Sequence, residues 1–418
     1  MREDVPSPKL ALVLVGLPAR GKSSVAAKIT RFLCWQGYRT RVFNVGNYRR
    51  ERLGADKPHT FFDPDNREAT ELREQLAGLV LDDMLGWLAA EGDVAIFDAV
   101  NAARARRAHL RERCARQGIP VLLIENICDD DSLVEATIRD TKVVTRDYRD
   151  IAPEAAARDF RLRIAEYAKV YETLADDEAP WIKVVDGGVR IHSRGVRDYG
   201  RSHLLALLNN LRIARRPIYL ARHGESEFNE LDRIGGDAGL SPLGRLFARS
   251  LAAWLDERFG LNDRLVIWTS ALKRSVETAE PLSRPFRSRT ELHEIDAGSC
   301  DGLTYEQIAE RYPQEFAARK NDKLRYRYPK GESYEDVIRR LIRPVIELER
   351  VADPILILSH QAVLRVLYAY LCGSSREEIP YLSIPLHTVI ELVPRGAGYV
   401  ERRIPLAPKI QRTHASSS

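Results

Sequence analysis

A chain of 418 residues is long enough for two or three domains, and 44% hydrophobic with 30% charged residues fits a globular protein rather than a disordered one. Its net charge of +5 is small for that length, so it neither demands nor excludes anionic partners. Five scattered cysteines (Cys34, Cys114, Cys128, Cys300 and Cys372) argue against a disulfide framework and a zinc site and suit a reducing, cytoplasmic setting, and no apolar run approaches a membrane span.

The first residues, Met1 to Pro6, lack the charged-then-apolar pattern of a signal peptide. Leu10 to Val15 is a continuous apolar run, as expected of a central parallel strand. It runs straight into Gly16-Leu17-Pro18-Ala19-Arg20-Gly21-Lys22-Ser23, a complete Walker A pattern in strand-loop-helix context. Glycines let backbone N–H groups wrap the phosphates of ATP, Lys22 is expected to reach the β and γ oxygens, and the Ser23 hydroxyl is expected on Mg²⁺. Val25, Ile29, Phe32 and Leu33 give the following helix an apolar face.

Thr40 to Val45 is a second strand, leading to a basic loop at Gly46 to Arg50. A long helix carries Leu72, Leu76, Leu79 and Val80, with Arg73 beside them. Val94 to Asp98 is a strand ending in an acid, the Walker B arrangement, so Asp98 is expected to hold Mg²⁺ or accept the substrate hydroxyl proton. The run Arg104-Ala105-Arg106-Arg107, taken alone, reads as a solvated helix face. Pro120 to Glu125 is a further strand. Phe160, Ile164, Tyr167 and Tyr171 recur at helical spacing, and Trp181 to Asp186 is the last strand before Gly187-Gly188 closes the sheet. The alternation predicts an α/β, doubly wound parallel sheet of the nucleoside-kinase kind. One amphipathic helix is expected within Arg190 to Arg216, with a boundary near Arg212 giving domains 1–212 and 213–418.

Past Pro217, the strand Ile218 to Ala221 ends in Arg222-His223-Gly224-Glu225, which resembles the signature of the histidine phosphatases, the phosphoglycerate-mutase-like α/β superfamily. In that chemistry His223 attacks phosphorus and Arg222 offers a forked donor to phosphate oxygens. Ser241-Pro242 reads as a helix cap followed by a first-turn proline. The strand Val266 to Ser270 leads to Arg274, a second phosphate contact. Glu294, in His293-Glu294-Ile295-Asp296-Ala297-Gly298, is the expected proton donor to the leaving alkoxide. Ile355 to Ser359 is a core strand presenting His360, and Leu386 to Leu392 closes the sheet.

The ordered set Gly16 to Lys22, Val42 to Arg50, Phe62 to Asn66 and Ile96 to Asn101, followed by the second-half motifs, resembles the bifunctional 6-phosphofructo-2-kinase/fructose-2,6-bisphosphatase family from about Leu10 to His414. The resemblance implies that the first half phosphorylates fructose 6-phosphate at O2 with MgATP and that the second half hydrolyses the product. It implies that Arg49, Arg73, Arg106, Lys142, Arg163 and Tyr167 hold fructose 6-phosphate, with Lys142 also serving the nucleotide. For fructose 2,6-bisphosphate it implies Arg222, Asn229, Gly235, Tyr305, Arg319, Lys323, Tyr334, Gln361 and Arg365. A homodimer is suggested by resemblance alone.

Three positions depart from the family pattern: Val100 replaces a threonine, Asp63 an arginine, and His293 an asparagine. A sugar hydrogen bond lost at Val100 costs on the order of 1 kcal/mol. The alternative is therefore a bisphosphatase whose kinase half is impaired and senses nucleotide. A nucleic-acid end-processing enzyme is opposed by the absence of an aromatic-basic stacking platform.

Overall fold

Strand β1 (Leu10–Val15) lies at the heart of the first sheet, and its residues Ala11 to Val15 are wholly inaccessible to solvent, as its unbroken apolar run requires. The computed structural model describes residues 9–139, 145–197, 199–210, 216–260, 264–395 and 398–406. The chain divides into two compact units, Met1–Ile213 and Ala214–Ser418. The expected boundary at Arg212, the candidate Lys142 and the tail His414 to Ser418 lie outside the described residues.

In the first unit, β1 joins β2 (Thr40–Asn44), β3 (Val94–Asp98), β4 (Val121–Ile127), β5 (Trp181–Val185) and β6 (Arg190–Arg194) in the order β2-β3-β1-β4-β5-β6. The helices are α1 (Lys22–Gln36), α2 (Val45–Leu53), α3 (Arg67–Ala90), α4 (Arg104–Ala115), α5 (Asp131–Thr137), α6 (Pro153–Ala168) and α7 (Tyr199–Asn210). Val80, Met84, Leu85 and Leu88 of α3 pack with Val13, Phe43 and Phe97 of the sheet. Val134, Ala156 and Phe160 form a separate cluster with Ala19 of the phosphate loop.

Three expectations need correction here. The basic stretch after β2 is helix α2, because the Asn44 side chain accepts the Asn47 N–H at 2.9 Å and caps it. The glycine pair does not end the sheet. Asp186, Gly187 and Gly188 all take positive φ (50°, 66° and 99°), and that tight reversal returns the chain as β6, antiparallel to β5. β6 is an edge strand with arginines at both ends, so its composition hid it from an apolar-run criterion. Nor does Leu386 to Leu392 close the second sheet, because a further antiparallel strand, Gly398–Pro405, pairs outside it. The amphipathic helix expected within Arg190 to Arg216 is α7.

The second sheet runs β12-β11-β7-β10-β8-β9, from β7 (Ile218–Arg222), β8 (Val266–Ser270), β9 (Arg287–Arg289), β10 (Ile355–Ser359), β11 (Thr388–Arg395) and β12 (Gly398–Pro405). β7, β10, β8 and β9 are parallel, and β11 and β12 are antiparallel. Its helices are α8 (Glu227–Glu230), α9 (Pro242–Phe259), α10 (Lys273–Ala279), α11 (Tyr305–Arg311), α12 (Pro313–Asn321), α13 (Tyr334–Arg350) and α14 (Gln361–Cys372). Register places Arg222 of β7 opposite Ser359 of β10, and Leu358 opposite Thr269 of β8. His223 and His360, which follow β7 and β10, and Ser270, which ends β8, therefore emerge side by side at the carboxyl edge, where open α/β sheets bind ligands.

Candidate active sites

In the first unit the phosphate loop is held by one close backbone approach. A Cβ on Gly16 would lie 2.4 Å from the Asn126 carbonyl oxygen, and Gly16 φ is 133°. Only glycine meets both conditions. Gly21, with φ 82°, turns the loop into α1. Lys22 is 8% exposed, and its Nζ donates to the carbonyls of Gly16 (2.6 Å) and Leu17 (2.7 Å), so the ammonium lies within the loop. Pro18, Ala19 and Arg20 complete its turn.

Ser23 Oγ donates to Asp98 Oδ2 at 3.0 Å, and Asn44 Nδ2 donates to the same oxygen at 2.5 Å. The Walker A hydroxyl and the Walker B carboxylate thus meet. Among the described residues no group of three or more His, Cys, Asp or Glu is placed so as to hold a metal ion. A cation here would rest on one hydroxyl and one carboxylate, with phosphate and water supplying the rest, and that hard-oxygen set suits Mg²⁺.

A buried arginine cluster lies in the same unit. Arg49 Nη2 reaches Asp147 Oδ2 at 2.5 Å, and Arg50 and Arg163 reach the same oxygen at 3.4 Å. The Arg163 guanidinium carbon sits 3.7 Å from the Phe62 ring centroid, and the Tyr167 ring lies 5.7 Å from that ring. Nε and Nη1 of Arg49 and Nε of Arg163 are buried without partners among the described residues. Burial, then repulsion from Arg163, lowers the Arg49 pKa. Three guanidiniums on one carboxylate leave surplus positive charge and free donors, which suits a phosphate.

The structure brings Arg49, Arg163 and Tyr167 together around Phe62 and treats Arg73 and Arg106 differently. Arg73 donates to the Phe62 carbonyl (2.8 Å) and to Thr70 Oγ1 (2.6 Å), so it pins the Phe62 loop. Arg106 pairs with Glu74 at 2.5 Å. Asp63 pairs with Lys169 at 3.2 Å. The arginine run on α4 is not a uniformly solvated face, because Arg107 is fully buried. It grips Glu178 with two bonds (2.7 and 2.8 Å) and donates to the carbonyls of Ala102 and Glu172 (2.7 and 2.9 Å). The partner carboxylate is 71 residues away, so no local pattern marks it. Asp147 and Phe62 were likewise missed as members of a site.

In the second unit, His223 is 3% exposed. Its Nδ1 lies 2.6 Å from the Gly224 carbonyl, which can only accept, so Nδ1 carries the proton and Nε2 the lone pair. Arg274 Nε donates to that Nε2 at 3.2 Å and Arg274 Nη1 to the Gly236 carbonyl at 2.7 Å. Burial, then Arg274 and Arg222, push the His223 pKa well below the ordinary value. Close packing sets the loop. A Cβ on Gly224 would meet the Gly244 oxygen at 2.5 Å, and one on Gly244 would meet the Glu225 oxygen at 2.0 Å. Ser241 caps α9 through Gly244 N–H and also donates to Glu225 Oε1, as its place before Pro242 foretells.

His360 is fully buried, with its ring centroid 4.9 Å from that of His223. Burial, then Arg274, keeps it neutral. Burial lowers the Arg222 pKa to about 10, still far above neutrality, and its Nε has no partner among the described residues. Glu294 Oε1 accepts the N–H groups of Ile295 (2.9 Å) and Ala362 (3.1 Å), the latter in the first turn of α14. This anchors one carboxyl oxygen and leaves the other toward the cavity.

That cavity, of about 290 Å³, is lined by Arg222, His223, Arg274 and Glu294. Asn229, Gly235, Tyr305, Arg319, Lys323, Tyr334, Gln361 and Arg365 also line it, so all nine residues expected to hold the bisphosphate border it. Arg319 Nη2 donates to Tyr305 Oη at 2.9 Å, and Arg365 Nη1 to Tyr334 Oη at 3.1 Å. Burial, then Arg319 and Arg365, lowers the Lys323 pKa to about 8. Asn229 Oδ1 accepts from Ser226 N–H and hydroxyl, which orients its amide. Arg233 and Tyr328, which are not among the nine, also line the space.

The 6-phosphofructo-2-kinase family profile matches residues 2–215, and the histidine phosphatase superfamily (branch 1) profile matches residues 218–405. The 6-phosphofructo-2-kinase/fructose-2,6-bisphosphatase of Gallus gallus is 46% identical over 407 residues, covering 96% of this chain and 86% of that protein. The 6-phosphofructo-2-kinase/fructose-2,6-bisphosphatase 1 of Homo sapiens is 44% identical with the same coverage. Among solved structures, the alpha-ribazole phosphatase from Shigella flexneri aligns at 22% identity and a TM-score of 0.41, covering 45% of this chain and 96% of that one. Two family matches in series and relatives of this identity over nearly the full length agree: the chain belongs to the 6-phosphofructo-2-kinase/fructose-2,6-bisphosphatase family.

Proposed function

We propose that this bifunctional enzyme makes fructose 2,6-bisphosphate from ATP and fructose 6-phosphate in its first unit and hydrolyses the 2-phosphate in its second. The observation that carries the reading is the second cavity. It holds His223 with Arg222 and Arg274, and Arg319, Lys323 and Arg365 border the same space. These five cations around one cavity fit a bisphosphate better than a monophosphate.

In the kinase half, the Gly16 to Ser23 loop binds the ATP phosphates and Lys22 neutralises the transferred group. Ser23 and Asp98 would hold Mg²⁺, which would offset the charge of the phosphate oxygens. Arg49 and Arg163 seat the sugar phosphate, and the O2 hydroxyl attacks the γ-phosphorus while the bond to ADP breaks. Asp98 is the candidate acceptor of the hydroxyl proton. The reading of a silent, nucleotide-sensing kinase half is not favoured. Ser23 touches Asp98, and Val100 serves the loop through its backbone, its carbonyl accepting the Gly16 N–H at 3.0 Å.

In the phosphatase half, Arg222 and Arg274 neutralise the 2-phosphoryl group, and the neutral His360 donates a hydrogen bond to it. His223 Nε2 attacks phosphorus, the P–O2 bond breaks, and Glu294 gives its proton to O2. Water then attacks the phosphohistidine, Glu294 takes back a proton, and inorganic phosphate leaves. Donors fixed in place before reaction supply much of the rate. The free thiols suit a reducing compartment, and we place the enzyme in the cytoplasm; no helix among the described residues is long and apolar enough to cross a membrane.

The test is kinase turnover in a His223→Ala variant supplied with MgATP and fructose 6-phosphate. Fructose 2,6-bisphosphate should accumulate, and Lys22→Ala should abolish it. No product in His223→Ala, with ATP still bound, would overturn the kinase half of the proposal.

A further inference from the structure

Behind the phosphoryl site lies a pair of buried hydroxyls that the reaction above does not use. Ser270, the last residue of β8, and Ser275 on α10 are both wholly inaccessible to solvent. Ser270 Oγ lies 2.8 Å from His360 Nε2, and Ser275 Oγ lies 3.3 Å from the same nitrogen. Ser270 Oγ already accepts the Leu272 N–H at 3.2 Å. Its proton therefore needs an acceptor, and among the described residues His360 Nε2 is the one within reach. The Ser275 hydroxyl likewise has no other acceptor among them. The second ring nitrogen, Nδ1, is buried and without a partner among the described residues, on the ring that lies 4.9 Å from that of His223.

We infer that Ser270, seconded by Ser275, sets the tautomer of His360, so that Nδ1–H is the donor this histidine offers to the phosphoryl group. The opposite tautomer would strand the buried Ser270 proton, which makes the shorter contact, and turn a lone pair, not a proton, toward an anion. Ser270 is thus a positioning residue acting through His360. α10 serves the site twice, bringing Arg274 to the nucleophile and Ser275 to the neighbouring ring. The consequence for turnover rests on the phosphatase reading of this cavity. The tautomer itself does not.

The experiment uses the full chain labelled with ¹⁵N-histidine, with the His360 signals assigned by their loss in His360→Asn. The native protein should show a neutral His360 protonated on Nδ1, and protonation on Nε2 would overturn the inference directly. In a Ser270→Ala, Ser275→Ala double variant the proton should shift wholly or partly to Nε2. Bisphosphatase kcat should then fall on the order of 10–100-fold, the scale on which outer partners of site histidines act, with KM little changed. Ser270→Thr, which keeps the hydroxyl, should restore both signals. An unchanged tautomer in the double variant, or native kcat despite a shifted one, would refute the role. If the double variant does not fold, the native spectrum still decides. An Nδ1–H His360 in a chain without phosphatase turnover would uphold the tautomer and refute the phosphatase reading.

Discussion

Arg274 Nε faces His223 Nε2 at 3.2 Å, so a guanidinium points at the very nitrogen proposed to attack phosphorus. A protonated imidazole could not accept that bond, and the guanidinium thereby keeps Nε2 unprotonated until substrate oxygens replace it as the arginine's partner. Arg274→Ala should lower bisphosphatase kcat by about 10²–10³-fold, the loss typical for one donor to a developing anion. Arg274→Lys should rescue little, because a point charge lacks the fork that spans His223 and Gly236. Single-turnover phosphate release measures both.

The burial that keeps His223 and His360 neutral also makes the second unit acid-sensitive. Both folded pKa values lie well below the unfolded value of about 6.5, burial being the largest cause. Between the unfolded and folded values the unfolded chain binds more protons, so stability is complete above about pH 6.5 and declines as pH falls toward the folded values. Calorimetry from pH 7.5 to 5 should show the second unit's midpoint falling. The decline should be shallower in a His223→Gln, His360→Gln variant, and an equal slope in both proteins would contradict the assignment.

Lys323 should give the bisphosphatase an alkaline limb in KM. Its pKa of about 8 means that part of the free enzyme loses this charge between pH 7 and 9, whereas a bound phosphate favours the charged form. KM for fructose 2,6-bisphosphate should rise above pH 8 while kcat holds. Lys323→Met should show a higher KM, about tenfold, that no longer varies over this range. A KM that rises equally in both proteins would assign the limb elsewhere.

Gly244→Ala should harm the phosphatase out of proportion to the size of a methyl group. The new Cβ would sit 2.0 Å from the Glu225 oxygen, and the backbone carrying His223 must shift. Overpacking of this kind costs about 1–3 kcal/mol. Gly86→Ala in the middle of α3 is the matched control, since nothing lies within 4 Å of its Cβ and helix propensity favours alanine by about 1 kcal/mol. Urea denaturation should separate the two in sign.

Arg107→Ala should unfold the first unit more readily by about 3–5 kcal/mol, since it leaves Glu178 buried without its partner. The kinase should lose activity with it, because Arg107 also holds the carbonyls of the loop that follows β3. Chemical denaturation of the first unit reads the stability change. A loss under 1 kcal/mol would mean that Glu178 finds water in the variant.

Features built by neighbours in sequence were legible without coordinates. The apolar runs of β1, β3, β7 and β10, the Gly16 to Ser23 loop and the Arg222-His223-Gly224 turn are local, because a buried strand and a phosphate-binding turn each impose composition on a few consecutive residues. Arginines carry no such mark. Arg49 and Arg163 gather on one buried carboxylate, Arg73 pins a loop, Arg106 pairs with Glu74, and Arg107 disappears into the core, yet in sequence all five are a charge on a flexible stem. Which of them keeps donors free depends on what lies opposite, from Glu74, 32 residues away from Arg106, to Asp147, 98 residues away from Arg49. The same holds for Ser270 and His360, 90 residues apart. The sequence by itself determined the two folds, the phosphate loop and the candidate nucleophile. Tertiary packing alone decided which cations face the cavity and which tautomer and charge its histidines hold, because desolvation and hydrogen-bond partners are properties of the assembled site.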